Sequence, residues 1–125
     1  MKYKTYKAFP LVVETKYLDV CGVHPLMQEA CAKLCEMFST EPDMALGVFG
    51  SSVTSKCNQL SDLDLVIRLR TDDLQRFYSL RKRISLANLG VETDVIYFNE
   101  LENGERLKEE IQNTVYPLID NLSIK

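Results

Sequence analysis

Two aspartates one residue apart, Asp62 and Asp64, open a run that alternates with apolar residues, and a third, Asp94, sits inside a later β-rich run. Side chains at i and i+2 of a strand leave the same face, so the Asp62 and Asp64 carboxylates can share oxygen-seeking cations such as Mg²⁺ or Mn²⁺. If Asp94 lies on a neighbouring strand, its carboxylate completes the cluster and can accept a proton from an attacking hydroxyl. Without a cation, three such groups repel one another and raise at least one apparent pKa; a divalent ion makes their clustering favourable. Glu92 shares the side-chain direction of Asp94 and competes with it as the third ligand. Upstream, Gly50 permits a tight turn, and Ser51 and Ser52 then begin a short helix whose free amides and hydroxyls suit phosphate oxygens. The simpler reading, an edge strand showing two acids to solvent, explains Asp62 and Asp64 alone but not the Gly-Ser turn and Asp94 in the same order.

The elements that must hold these residues are readable from periodicity. From Pro25, apolar positions Leu26, Ala30, Leu34 and Met37 or Phe38 recur at helical spacing, predicting a helix to about Ser39. Met44–Phe49 reads as a short buried strand ending at Gly50. Asp62–Arg70 reads as an amphipathic strand, with Leu63, Leu65, Ile67 and Leu69 on one face and the charged residues on the other. Thr71 as N-cap, the acids after it and the stripe Leu74, Phe77, Leu80 and Ile84 predict a second helix, with Gly90 as its stop. Val91–Phe98 is a third strand, and Leu101–Leu118 is expected to hold a last helix that frays or ends near Tyr116 because of Pro117. Residues 1–22, with Leu11-Val12-Val13 after Pro10, suggest an N-terminal arm or edge strand ahead of a catalytic domain over 23–120. Helices alternating with strands imply an α/β (α+β) class, a small mixed β-sheet covered by helices.

Phe49-Gly50-Ser51, ten intervening residues and then Asp62-Leu63-Asp64-Leu65 resembles the Gly-Ser and Asp-x-Asp motif of the DNA polymerase beta nucleotidyltransferase superfamily, in its minimal nucleotidyltransferase branch. Thr93-Asp94-Val95-Ile96 stands where that family carries its third carboxylate, and Ile111–Tyr116 is similar to the helix that closes such domains. The resemblance covers roughly residues 25 to 118. It implies the polymerase-beta-like fold, with Asp62, Asp64 and Asp94 as catalytic residues and ligands of Mg²⁺ or Mn²⁺. Gly50, Ser51, Ser52 and Ser61 become the nucleotide contacts. The implied reaction is two-metal transfer of a nucleotide, AMP from ATP in the first instance, to a hydroxyl of a protein or other acceptor, releasing pyrophosphate. Many members have Arg after the Gly-Ser pair and a second Gly three residues on, where this chain has Ser52 and Ser55. Losing that Arg removes a phosphate partner, and Lys56 or Arg68 is left as a substitute. The resemblance also supplies a rival, an inactive antitoxin-like or regulatory module paired with a helical HEPN-type protein.

Composition narrows the rest. A net charge of −3 and a pI near 5.2 disfavour a long nucleic acid, which needs clustered Lys and Arg. No signal-peptide h-region and no membrane-length apolar run occurs, so a cytoplasmic protein with reduced thiols is expected. Cys21, His24, Cys31 and Cys35 form a zinc-like group, but Cys31 and Cys35 lie one turn apart on a helix that needs a core face, which favours structural thiols. His24 is the only histidine, which excludes chemistry built on paired His. Arg81-Lys82-Arg83 reads as a solvated helix face. A chain of 125 residues leaves no room for an acceptor-binding domain of the kind an aminoglycoside nucleotidyltransferase needs. Recognition is therefore expected from a partner protein, with a homodimer as the open alternative.

Overall fold

In the computed structural model, which describes residues 9–13 and 22–122, Pro25–Phe38 forms α1, Met44–Phe49 β1, Leu63–Leu69 β2, Leu74–Ser85 α2, Thr93–Tyr97 β3, Arg106–Thr114 α3 and Tyr116–Asp120 β4. Strand order is β3-β2-β1-β4, with β1 antiparallel to β2 and β4 and β2 parallel to β3. This small mixed sheet with helices on both faces is the expected α+β class.

The alternation of β2 decides which face becomes the core. Leu63, Leu65, Ile67 and Leu69 are buried and meet Met27, Leu34 and Phe38 of α1 and Phe77, Leu80 and Ile84 of α2. Burying a side chain of this kind is worth roughly 1.5–3 kcal/mol, so four in one strand fix its register. On the opposite face Phe49 and Val66 are covered by Ile111 of α3, with Ile96, Leu107 and Val115 packed around them. Gly47 lets the end of α3 come close, because a Cβ there would overlap the Val115 side chain.

α1 begins as its sequence requires, with Pro25 in the first turn and the His24 Nδ1 accepting the Leu26 N–H at 3.2 Å. α2 differs at both ends from the expectation. Its N-cap is Asp73, whose carboxylate accepts the Arg76 N–H, not Thr71; Asp72 is taken by the Tyr97 hydroxyl instead. Its last residue is Ser85, capped at Leu86, and Gly90, at φ 80°, serves the turn into β3. The expected last helix over 101–118 is also corrected. It occupies only 106–114, after a 3-10 turn at 98–100, because Val115 turns extended and Tyr116–Asp120 satisfies its backbone by pairing with the edge of β1. Edge placement tolerates Pro117, which lacks an N–H.

Ion pairs and one amide brace the ends of these elements. Glu41, between α1 and β1, takes Arg76 at 3.1 Å and Arg83 at 2.7 Å, tying α2 down, and Arg83 also lies over the Phe38 ring. Arg83 is thus engaged with the fold, unlike the fully solvated run the sequence suggests. The Asn99 amide donates to the Leu69 carbonyl and accepts its N–H, at 2.8 and 2.9 Å, continuing the β2 to β3 pairing with a side chain.

Of the N-terminal arm, residues 9–13 have no strand pairing; the other residues of the expected arm, apart from Gly22, lie outside the described set. The fully buried Gln28 of α1 holds this piece. Its Oε1 accepts the Val12 N–H at 2.7 Å, and its Nε2 donates to the carbonyls of Pro10 at 2.7 Å and Val23 at 3.1 Å. Gln28→Leu should cost about 1–3 kcal/mol, since it strands backbone groups that Gln28 satisfies. Urea denaturation measures the loss, and hydrogen exchange should show the Val12 amide unprotected. An unchanged midpoint would mean that Gln28 does not hold the segment.

Candidate active site

The parallel pairing of β2 and β3 sets Asp64 directly opposite Asp94, on the sheet face away from α1 and α2. Neighbouring strands lie about 4.8 Å apart. Asp62 stands one residue ahead of β2 and is exposed, and the Leu63 N–H donates to the Glu92 carbonyl at 2.8 Å, which locks the starts of the two strands together. The three aspartates singled out by spacing are therefore gathered at one end of the sheet.

Asp64 feels the crowding most. Its carboxyl is pushed up to about 6, first by burial and then by the negative charges of Asp94, Asp62 and Glu110. No cation among the described residues acts on it. Glu110 comes from α3, one residue before the buried Ile111, and sequence reasoning overlooked it; its only signal was that neighbouring apolar anchor. Among the described residues no three His, Cys, Asp or Glu side chains are already closed round a point that could hold a metal ion. The acids converge as neighbours, and coordinating one ion together needs side-chain rotation.

Gly50 follows β1 at φ 73°, and a Cβ on it would lie 2.5 Å from Asp64 Oδ2. Glycine is required twice here, for the left-handed backbone and for the close passage past the carboxylate. Gly50–Val53 makes one 3-10 turn. Ser51 is half-buried at its start, with its carbonyl taken by the Thr54 amide and hydroxyl, each at 3.0 Å. Ser52 points inward. It is fully buried, its hydroxyl donates to the Asp62 carbonyl at 3.4 Å, and its own carbonyl accepts the His24 N–H at 2.7 Å. Ser52 thus braces the turn against the start of β2. Ser61 lies on the other side of Asp62, its hydroxyl accepting the Asn58 N–H at 3.0 Å.

The family model for the nucleotidyltransferase domain matches residues 28–117, from inside α1 to β4. The chain belongs to that family. Among curated proteins none matches it closely enough to count as a relative. In this nucleotidyltransferase domain the match takes in the Gly-Ser turn, the Asp-x-Asp strand and Asp94.

Two substitutes for the missing Arg stand elsewhere. The Arg68 guanidinium lies over the Phe98 ring at 5.5 Å, and Lys56 is exposed in the loop after the turn. Of the zinc-like group, Cys21 lies outside the described residues, Cys31 and Cys35 are buried in the core, and His24 Nδ1 caps α1. Burial, with a smaller push from Glu36, raises the Cys35 thiol to about 11, which keeps it protonated and unreactive.

Because the folded domain holds the Asp64 proton more tightly than the unfolded chain, metal-free stability falls as pH rises from about 4 to about 6. Asp64→Asn should remove that penalty. In EDTA at pH 7.5 it should stabilise the domain by on the order of 1–2 kcal/mol, after allowance for solvent screening, and by nothing near pH 3.5. Denaturant titrations at the two pH values test this, and a destabilised variant at pH 7.5 would refute the crowding. Gly50→Ala should cost about 1–3 kcal/mol through its backbone conformation and the displaced Asp64 carboxylate; thermal unfolding gives the number.

Proposed function

We propose that the domain transfers a nucleoside monophosphate, AMP from ATP in the first instance, from a triphosphate to a hydroxyl of a protein acceptor. The observation that carries this reading is Asp64, raised first by its burial and then by two aspartates and a glutamate, with no cation among the described residues in reply. Such an arrangement is costly for a resting fold and sensible for one that receives a positive charge. Hard carboxylate oxygens beside a glycine turn fit Mg²⁺ or Mn²⁺, and Asp62, Asp64 and Asp94 would hold it. When bound, the ion supplies neutralisation of the triphosphate and of the charge that builds up during transfer.

The residues of the chain then divide the work. The Gly50-Ser51 turn offers backbone amides to phosphate oxygens, while the inward Ser52 keeps that turn fixed to β2. Asp94 accepts the proton of the acceptor hydroxyl as its oxygen forms a bond to the α-phosphorus. The bond from that phosphorus to the bridging oxygen breaks, and pyrophosphate leaves with the electron pair. The Asp94 proton passes to solvent.

A second reading has one specific observation in its favour. Ser52 occupies the position where many family members have Arg, and its side chain is buried against the strand, so it gives phosphate no charge. Weak triphosphate binding would suit an antitoxin-like module that pairs with a helical HEPN-type protein without turning over. Both readings take a protein partner, and the location we infer for the pair is the cytoplasm.

Calorimetry with ATP should show binding in millimolar Mg²⁺ that weakens at least about tenfold in EDTA, because bare carboxylates repel phosphates. Intact-mass spectrometry of a HEPN-type partner, incubated with the domain, ATP and Mg²⁺, should show AMP additions. Asp62→Asn and Asp64→Asn should reduce the rate by on the order of 100-fold or more, and Asp94→Asn should do so with less loss of ATP affinity. A complex that forms without any mass change would replace the enzyme with the binding module.

A further inference from the structure

Beneath the acidic site, where the segments leading into β2 and β3 run side by side, lies a cleft of about 670 Å³. Ile84 and Leu89 contribute to its floor, and Ser61, Asn88 and Glu92 give it a polar wall. Asp62 belongs to that wall too, so the cleft and the catalytic cluster share a residue. None of the lining residues is Lys, Arg or His. Lys33 of α1 donates to the Asn88 carbonyl at 3.5 Å and stands outside the lining.

Glu92 is the acid that the proposed reaction leaves without a role. Its carbonyl joins the two strand starts, but its exposed carboxylate has no ion-pair partner among the described residues and is not among the charges that act on Asp64. As one of the lining residues it gives the cleft an acidic group. Leu60, at the rim, is 93% exposed. An occupant that also covers Leu60 has to reach out of the cleft, as an extended peptide does.

We propose that this cleft is the acceptor site, and that it takes a peptide segment in which the reacting hydroxyl residue is flanked by Lys or Arg. The assignment rests on the nucleotidyl-transfer reading above. A hydroxyl side chain lying along the cleft is delivered past Asp62 to the carboxylates, while a neighbouring cation pairs with Glu92 and an apolar residue covers Leu60. The same charge repels the phosphates of an RNA end.

The test uses two fluorescein-labelled peptides, Ala-Lys-Tyr-Arg-Ala and Ala-Glu-Tyr-Glu-Ala, titrated with the full chain in Mg²⁺ without triphosphate and followed by anisotropy. The basic peptide should bind at least about tenfold more tightly. Glu92→Lys should abolish the preference, whereas Glu102→Lys, which makes the same change in net charge in the loop ahead of α3, should leave it intact. Equal affinities for the two peptides, or equal damage from the two variants, would overturn the assignment. Adding labelled ATP separates it from the transfer reading. Glu92-dependent binding with no label on the peptide would keep the cleft and remove the reaction, and label on both peptides alike would keep the reaction and remove the cleft.

Discussion

Parallel pairing between β2 and β3 is the contact on which everything else in this domain depends. It places Asp64 beside Asp94 at the point where Asp62 enters the strand, an arrangement that opposes folding by on the order of 1–2 kcal/mol at neutral pH. The same strand supplies the means to tolerate it. Leu63, Leu65, Ile67 and Leu69 are each at most 2% exposed on the other face, and each contributes roughly 1.5–3 kcal/mol by burial. Because side-chain direction alternates, the register that maximises apolar burial is also the register that gathers the acids. The domain cannot slip by one residue to relieve the repulsion without turning its core into solvent.

A second constraint sits on Gly50. β1 pairs Phe49 with Asp64, so the chain must leave the sheet right beside that carboxylate, and any side chain at the next position would strike it. Ser52, one turn further, converts its hydroxyl into a tie to the Asp62 backbone. The turn and the acids are thus one rigid unit, with His24 bonded to its far side and Gln28 holding both Val23 and the 9–13 segment. α3 closes the other side through Ile111 and brings Glu110 into the field of Asp64.

What was legible in the sequence follows from which forces are local. Leu63 to Leu69 alternates without exception, and Met44–Phe49 is bounded by a turn cluster and Gly50, so β1 and β2 were readable nearly to the residue. Pro25 and the stripe that follows it gave α1 in the same way. β4 was hidden because Tyr116–Asp120 becomes a strand only through the free edge of β1, a non-local partner, and its run is continuous with a helical pattern. The cap of α2 was misplaced because Thr71, Asp72 and Asp73 are all good caps, and the choice among them was made by Tyr97, which claims Asp72. At the site, spacing identified Asp62, Asp64 and Asp94, and strand alternation set Glu92 as an equal of Asp94. Pairing with Leu63 separated the two, since Glu92 lies ahead of β3, with its carbonyl taken by the Leu63 N–H, and is among the residues that line the cleft. Neither Gln28, a single polar residue in an apolar stripe, nor the inward turn of Ser52 had a local signature.

The distribution of charge around the site gives these observations a common direction. At the position after the Gly-Ser pair, where the motif it resembles often has Arg, this chain has a Ser52 that strengthens the turn, and Arg68 lies over the Phe98 ring. On α2, Arg76 and Arg83 are committed to Glu41, and Arg81 lies over the Phe77 and Tyr78 rings. Among the described residues no cation acts on Asp64, and none lines the cleft beside it. An Arg next to the turn would lower the carboxylates and bind phosphate in every circumstance, whether or not an acceptor was present. On the readings proposed here, leaving it out makes occupancy of the site conditional on charge brought from elsewhere, by a divalent ion for the carboxylates and by a basic segment of the acceptor for Glu92. Such a site gains selectivity from the mismatch it carries when empty, because only a ligand set that supplies both charges relieves it.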